Sequence, residues 1–340
     1  PLAGLDSASR QRMDQILNTL LASSQTKITL FTTTADDLPA LISHVVSVSA
    51  NQILAKGDKE SILRNSSVQD LFAGNQALSK YRAGPLPVYF KAPPPGNEPV
   101  IEMKNVSVRY QKTLLLQDIT WQVGMGEQWA IMGPNGAGKS TLLSLVLADN
   151  PQAYANDIKL FGKHRGAGES IWEIKQHIGW VAPELHRAYA NAFSCTHVVC
   201  SGFFDSIGLY RKPNQKQLDA AARWMNALGL GHLSEHSFQW ISEGEQRLIL
   251  ICRALVKSPQ LLILDEPCMG LDNFYRQTIL RLLDNLCDQG GVQLLYVTHR
   301  VDELPASIAY VLKLENGQIA AKGKRALILD EFPPVDYESQ

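Results

Sequence analysis

Nine residues at 133–141, Gly133-Pro134-Asn135-Gly136-Ala137-Gly138-Lys139-Ser140-Thr141, constrain the fold of this chain more than any other feature. They fit G-x-x-x-x-G-K-[ST] and lie between an apolar stretch at 128–132 and a helix-period stretch at 140–147. Strand, loop and helix in that order are the context the pattern requires. The glycines let successive backbone N–H groups turn inward on phosphates, and the helix N-terminus adds positive potential. Lys139 is then expected to neutralise β and γ phosphates, and the Ser140 hydroxyl to ligate Mg²⁺. Downstream, 261–266 reads Leu-Leu-Ile-Leu-Asp-Glu, a strand buried on both faces whose C-terminal end meets a ligand. Asp265 is expected in the Mg²⁺ shell, and Glu266 beside it to orient and deprotonate an attacking water.

A second constraint is internal repetition. At a constant offset of 266, Pro1, Gly4, Leu5 and Asp6 fall on Pro267, Gly270, Leu271 and Asp272, and Arg10 and Gln11 on Arg276 and Gln277. The register continues through Asp36, Leu38, Pro39 and Ala40 to Gln52, Ile53, Lys56 and Gly57 without a gap. Each copy reads as a helix (9–21; 275–286), a strand (28–32; 292–298), a short helix and a hairpin-like pair of strands. The later copy ends a full domain, so 1–65 is expected to be the end of an upstream domain whose beginning is missing. The prolines of 84–99 mark a linker, taken as 66–99. From residue 100 strands and helices alternate to about 330, an α/β domain with a helical subdomain over about 185–257 and a tail at 331–340.

Composition narrows the function. With 32 basic and 33 acidic residues and a net charge of −1, there is no strong nucleic-acid signal. No apolar run approaches the ~20 residues of a membrane span. Five scattered cysteines without a C-x-x-C pair support neither disulfides nor a zinc ribbon and fit a reducing, cytoplasmic setting. His232-Leu233-Ser234-Glu235-His236 matches a zinc-protease pattern, H-x-x-E-H, but follows Gly229 and Gly231 without an obvious third ligand, so no zinc is expected. Residue 1 is Pro and no leader follows, which fits a chain cut from something longer.

Segment 241–247, Ile-Ser-Glu-Gly-Glu-Gln-Arg, taken after the phosphate loop, resembles the signature motif of ATP-binding cassette ATPases. The resemblance implies that Ser242, Glu243, Gly244, Glu245 and Gln246 face the γ-phosphate of nucleotide held by an opposite cassette. It further implies a P-loop fold with 100–330 as a complete cassette and 1–65 as the tail of another. His299 resembles the family's switch histidine, 270–272 its D-loop, with Asp272 matched by Asp6, and Tyr110 the aromatic residue that stacks on adenine. One departure stands at 178–185, where Pro183 and Glu184 occupy the place of the glutamine that binds Mg²⁺ and relays to a transport channel. Glu184 is carried as a metal ligand, and coupling to a membrane permease subunit is put in doubt.

Segments 160–162, 171–175 and 201–210 resemble those of a tandem-cassette member tied by name to molybdenum uptake, implying molybdate transport from the inner face of the membrane. The alternatives are a tandem ATPase acting on ribosomes or nucleic acid, against which the proline-rich linker speaks, and a nucleotide-dependent regulator without transport. At the offset of 266, His299 falls on Thr33, so two composite sites shared with the missing first cassette are expected to be unequal.

Overall fold

Hydrogen bonds that close within a few residues organise the first of two compact units, drawn from 1–82 with 268–279. The structure, a computed structural model, describes residues 5–23, 27–33, 35, 38–49, 52–73, 86–87, 98–168, 170–189, 193–289 and 292–331. Of the repeat residues, Pro1, Gly4 and Asp36 lie outside the described residues, as do most of the proline-rich 84–99 and the tail beyond 331. Helix α1 (Ser7–Ser23) starts where Asp6 Oδ1 accepts the Ser9 N–H at 2.9 Å, satisfying one of the free donors of a first turn. Asp272 Oδ1 accepts the Tyr275 N–H, also at 2.9 Å, in the same position of the later copy. Strands β1 (His44–Ser49) and β2 (Gln52–Asp58) form an antiparallel hairpin whose register shifts between Ser47 and Val48. Asp58 then caps α2 (Lys59–Leu63).

Two expectations change in this unit. Residues 66–73, assigned to the linker, form α3 (Ser66–Ala73). Asn65 Oδ1 accepts the Ser67 N–H at 3.0 Å at its start, and Val68 is fully buried. Residues 28–32, expected as a strand, have no regular structure. A strand of that apolar type needs a ladder partner on each side, and the β1–β2 hairpin is the only sheet of this unit among the described residues.

The second unit, 83–267 with 280–340, carries two sheets. Strands β3 (Ile101–Tyr110), β4 (Thr113–Val123), β6 (Asp157–Leu160) and β7 (Lys163–His164) pair antiparallel in the order β4-β3-β6-β7. Between β4 and β6 in the chain run β5 (Trp129–Met132) and α4 (Lys139–Val146). After β7 come α5 (Ile171–His177), β8 (Ile178–Val181), α6 (Pro183–Ala188), α7 (Cys195–Ser201), α8 (Gln215–Ala227) and α9 (Glu243–Leu255). The chain closes with β9 (Leu261–Asp265), α10 (Asn273–Asp288), β10 (Gln293–Val297), β11 (Tyr310–Glu315), β12 (Gln318–Lys324) and α11 (Arg325–Glu331). The six-stranded sheet has the order β12-β11-β5-β10-β9-β8. It is parallel except for β12.

The β11–β12 hairpin repeats the first unit's hairpin residue for residue. Tyr310 pairs with Lys324 and Lys313 with Ala321, and the register shifts before Leu314, as His44 pairs with Asp58 and Ser47 with Ala55 before the shift at Val48. In the second unit the core joins the inner faces of both sheets through α4, whose Leu142, Leu143, Leu145 and Val146 are buried. Trp121 meets Trp129 edge-on at 5.7 Å. Among the described residues no helix is long and apolar enough to cross a membrane.

Segment 232–236 is built into the start of α7: the carbonyls of Ser234 and His236 accept the N–H groups of Thr196 and Cys195 at 3.1 and 2.9 Å.

Candidate nucleotide site

Strand order decides which loops meet. Because β10 lies between β5 and β9 and all three run parallel, the loop after β5, the acids at the end of β9 and the residues after β10 emerge at one edge. Backbone hydrogen bonds tie these ends together. Glu266 donates its N–H to Val297 O at 2.9 Å and Thr298 its N–H to Ile131 O at 3.2 Å.

The loop 133–138 depends on glycine where the chain is tightest. Gly133 has φ of 150°, and a Cβ there would lie 2.2 Å from the Leu314 carbonyl oxygen. Gly138, at φ of 98°, precedes α4 as its N-cap, a conformation that side chains resist. Lys139 opens the helix and is buried, with its ammonium donating to the carbonyls of Gly133 at 2.8 Å and Pro134 at 2.9 Å. Ser140 beside it is exposed at the first turn.

The carboxylates gather on the other side. Burial pushes the Asp265 carboxyl up to about 7, helped by the negative charges of Glu266 and Glu184 and opposed by Lys139. That response places Glu184, at the start of α6, within electrostatic reach of Asp265. Among the described residues no three carboxylate or imidazole side chains lie close enough to hold a metal ion by themselves, so a divalent cation here would take part of its shell from a polyphosphate. Glu266 sits at φ of 47°, a left-handed conformation that a non-glycine residue adopts at a cost. Its Oε1 lies 3.0 Å from His299 Nδ1. The other ring nitrogen, Nε2, is buried without a hydrogen-bond partner.

The remaining expected residues occupy other settings. Tyr110 ends β3 at the tip of the β3–β4 hairpin, opposite Thr113 and half exposed. Ser242 caps α9 in a reciprocal box with Glu245: Ser242 Oγ accepts the Glu245 N–H at 3.3 Å, and Glu245 Oε2 accepts the Ser242 N–H at 2.8 Å. This cap starts α9 at Glu243, well before the apolar stretch that marks it in the sequence. Glu243 stands exposed on the first turn, and Gly244 is buried. Gln246 is buried, donating Nε2–H to the carbonyls of Phe238 at 2.8 Å and Ile241 at 3.2 Å. Asp272 and Asp6 each cap a helix in the first unit.

One participant escaped sequence reasoning. His186, on α6, pairs through Nε2 with Gln246 Oε1, joining the segment that carries Glu184 to 242–246 across 60 residues. Nothing in local spacing signals it, since only the fold makes the two neighbours.

A family profile described as ABC transporter matches residues 116–269. The chain is 41% identical over 314 residues to the ABC transporter ATP-binding protein ModF of Escherichia coli, covering 92% of this chain and 64% of that protein. It is 32% identical to the uncharacterized ABC transporter ATP-binding protein YmeB of Lactococcus lactis, covering 70% of this chain and 92% of YmeB. The structure of cbiO1 from Clostridium perfringens, part of an ABC transporter complex, superposes with a TM-score of 0.59 at 24% identity, over 69% of this chain and 92% of that one. The chain thus spans less than two thirds of ModF while matching YmeB over nearly its whole length. With the cassette's P-loop α/β fold and these relatives, the chain belongs to the ABC transporter ATP-binding family.

Proposed function

We propose that residues 100–330 bind and hydrolyse ATP as the ATP-binding component of a transport system. The observation that carries this reading is the Glu266–His299 contact at 3.0 Å, on strand ends next to the strand that feeds the phosphate loop. In this reading Lys139 leaves its loop carbonyls for the β and γ phosphates, and the N–H groups of 133–141 surround them. Tyr110 stacks on adenine. Glu266 accepts a proton from water as the water oxygen attacks the γ-phosphorus. The bond to the β–γ bridging oxygen breaks, and ADP leaves with the electron pair. His299 donates Nδ1–H to Glu266 and so orients its carboxylate. Ser140, Asp265 and Glu184 would hold Mg²⁺, which when bound neutralises phosphate charge.

Residues 1–65 are read as the end of a first cassette. The identical hairpin register and the matching Asp6 and Asp272 caps support this. In the same reading 242–246 is the signature segment and Asp6 and Asp272 are D-loop residues. The partner in this reading is a membrane permease subunit at the inner face of the cell membrane, and molybdate, implied by the resemblance of 160–162, 171–175 and 201–210, is the proposed cargo.

The test is Glu266→Gln in residues 100–330. ATP binding should persist while turnover falls by ~10²-fold or more, as loss of a general base does. Hydrolysis at the wild-type rate would overturn the assignment. Co-sedimentation of the full-length protein with ribosomes, without recovery on membranes, would favour the translation-linked alternative.

A further inference from the structure

Among the described residues, the outer half of β3 has no strand along one edge. β6 pairs with it only over Ile101–Lys104, so the backbone from residue 105 onward needs other partners there. The ladder to β4 is also broken, by register shifts between Met103 and Val106, Val106 and Val108, and Val108 and Arg109. Two side-chain amides take the place of the missing strand. Asn156 Oδ1 accepts the Ser107 N–H at 2.9 Å, and its Nδ2 donates to the Ser107 carbonyl at 3.1 Å. Gln152 Oε1 likewise accepts the Arg109 N–H at 3.0 Å, and its Nε2 donates to the Arg109 carbonyl at 2.9 Å. Ser107 and Arg109 are alternate residues, whose backbone groups face the same edge of a strand, and each carboxamide supplies the donor and the acceptor of a peptide group.

Gln152 is in turn fixed to the helix that Lys139 opens. Asn150 is buried and caps the 3-10 turn Pro151–Ala155, its Oδ1 accepting the Gln152 N–H at 3.0 Å. Its Nδ2 donates to Ser144 Oγ, on α4, at 3.1 Å. The β3–β4 hairpin itself lies against the head of α4, since a Cβ on Gly138 would come within 3.0 Å of the Leu115 carbonyl oxygen. Tyr110 follows Arg109 directly and pairs with Thr113 at the hairpin tip. A ring that stacks on a base adds most to affinity when its place relative to the phosphate groups is set beforehand, because ordering it on binding costs free energy.

We propose that Gln152 is a positioning residue for nucleotide binding: it holds Arg109 by its backbone and so fixes Tyr110 where an adenine ring stacks. Through Asn150 and Ser144 that position is referred to α4, the helix whose first residue is the phosphate-loop lysine. The proposal rests on the reading of Tyr110 as the adenine-stacking residue.

The test is calorimetric titration of the 340-residue chain with MgATP and with magnesium tripolyphosphate, which carries the phosphates without the base. Gln152→Leu keeps the bulk and removes both hydrogen bonds. It should weaken MgATP binding about fivefold and leave tripolyphosphate binding within about twofold of the wild type. Tyr110→Ala should weaken MgATP binding ~tenfold or more. Adding Gln152→Leu to Tyr110→Ala should then have no further effect, because a positioning residue acts only through the group it positions. Equal weakening of both ligands by Gln152→Leu, wild-type MgATP affinity in that variant, or the same loss again in the double variant would each overturn the proposal while leaving the stacking reading standing. If Tyr110→Ala binds MgATP as tightly as the wild type, the stacking reading falls, and this proposal with it.

Discussion

The two repeat copies share a sequence register but not an environment, and their difference separates structure that forms locally from structure that needs neighbours. Both keep the Asp-capped helix and the shifted hairpin, whose hydrogen bonds close within the copy. The strand between them survives only once. In the later copy β10 is sandwiched between β5 and β9, whereas 28–32 has no regular structure. The side chains follow. Phe31 is 87% exposed and its counterpart Val297 fully buried, Val48 is 59% exposed against 0% for Leu314, and Leu20 is 48% exposed against 0% for Leu286. The first copy therefore leaves exposed the positions that are core in the later one.

The largest expected contrast is in hydrogen exchange. In this 340-residue chain the amides of β10 should exchange at least ~10³-fold more slowly than those of 28–32, because ladder hydrogen bonds in a core open only with most of the unit. Equal rates would break the comparison. Next come paired truncations: Leu286→Ala should destabilise by roughly 2–5 kcal/mol in chemical denaturation, and Leu20→Ala by no more than ~0.5 kcal/mol. The smallest effect should be the same in both copies. Asp6→Ala and Asp272→Ala each remove a local helix cap, and each should cost about 1 kcal/mol, read as a loss of helical circular dichroism on heating. A clear inequality there would show that the caps depend on surroundings after all.

The sequence by itself determined what depends on residues close in the chain. The loop 133–141, its glycines and the lysine at the head of α4, the acid-terminated strand β9 and the offset of the repeat are all legible because backbone geometry, capping and period are local. Tertiary structure alone decided which of these pieces meet. The 33-residue separation of Glu266 and His299 closes to 3.0 Å only because β9 and β10 are adjacent. Asp265 is pushed up to about 7 because the fold buries it, with the charges of Glu266 and Glu184 adding to the effect. His186 reaches Gln246 across an intervening stretch that no periodicity spans, and a strand-like sequence at 28–32 stays irregular for want of partners. Propensity proposes a strand or a charge, but ladder hydrogen bonds and electrostatic coupling act between groups that only the folded chain brings together.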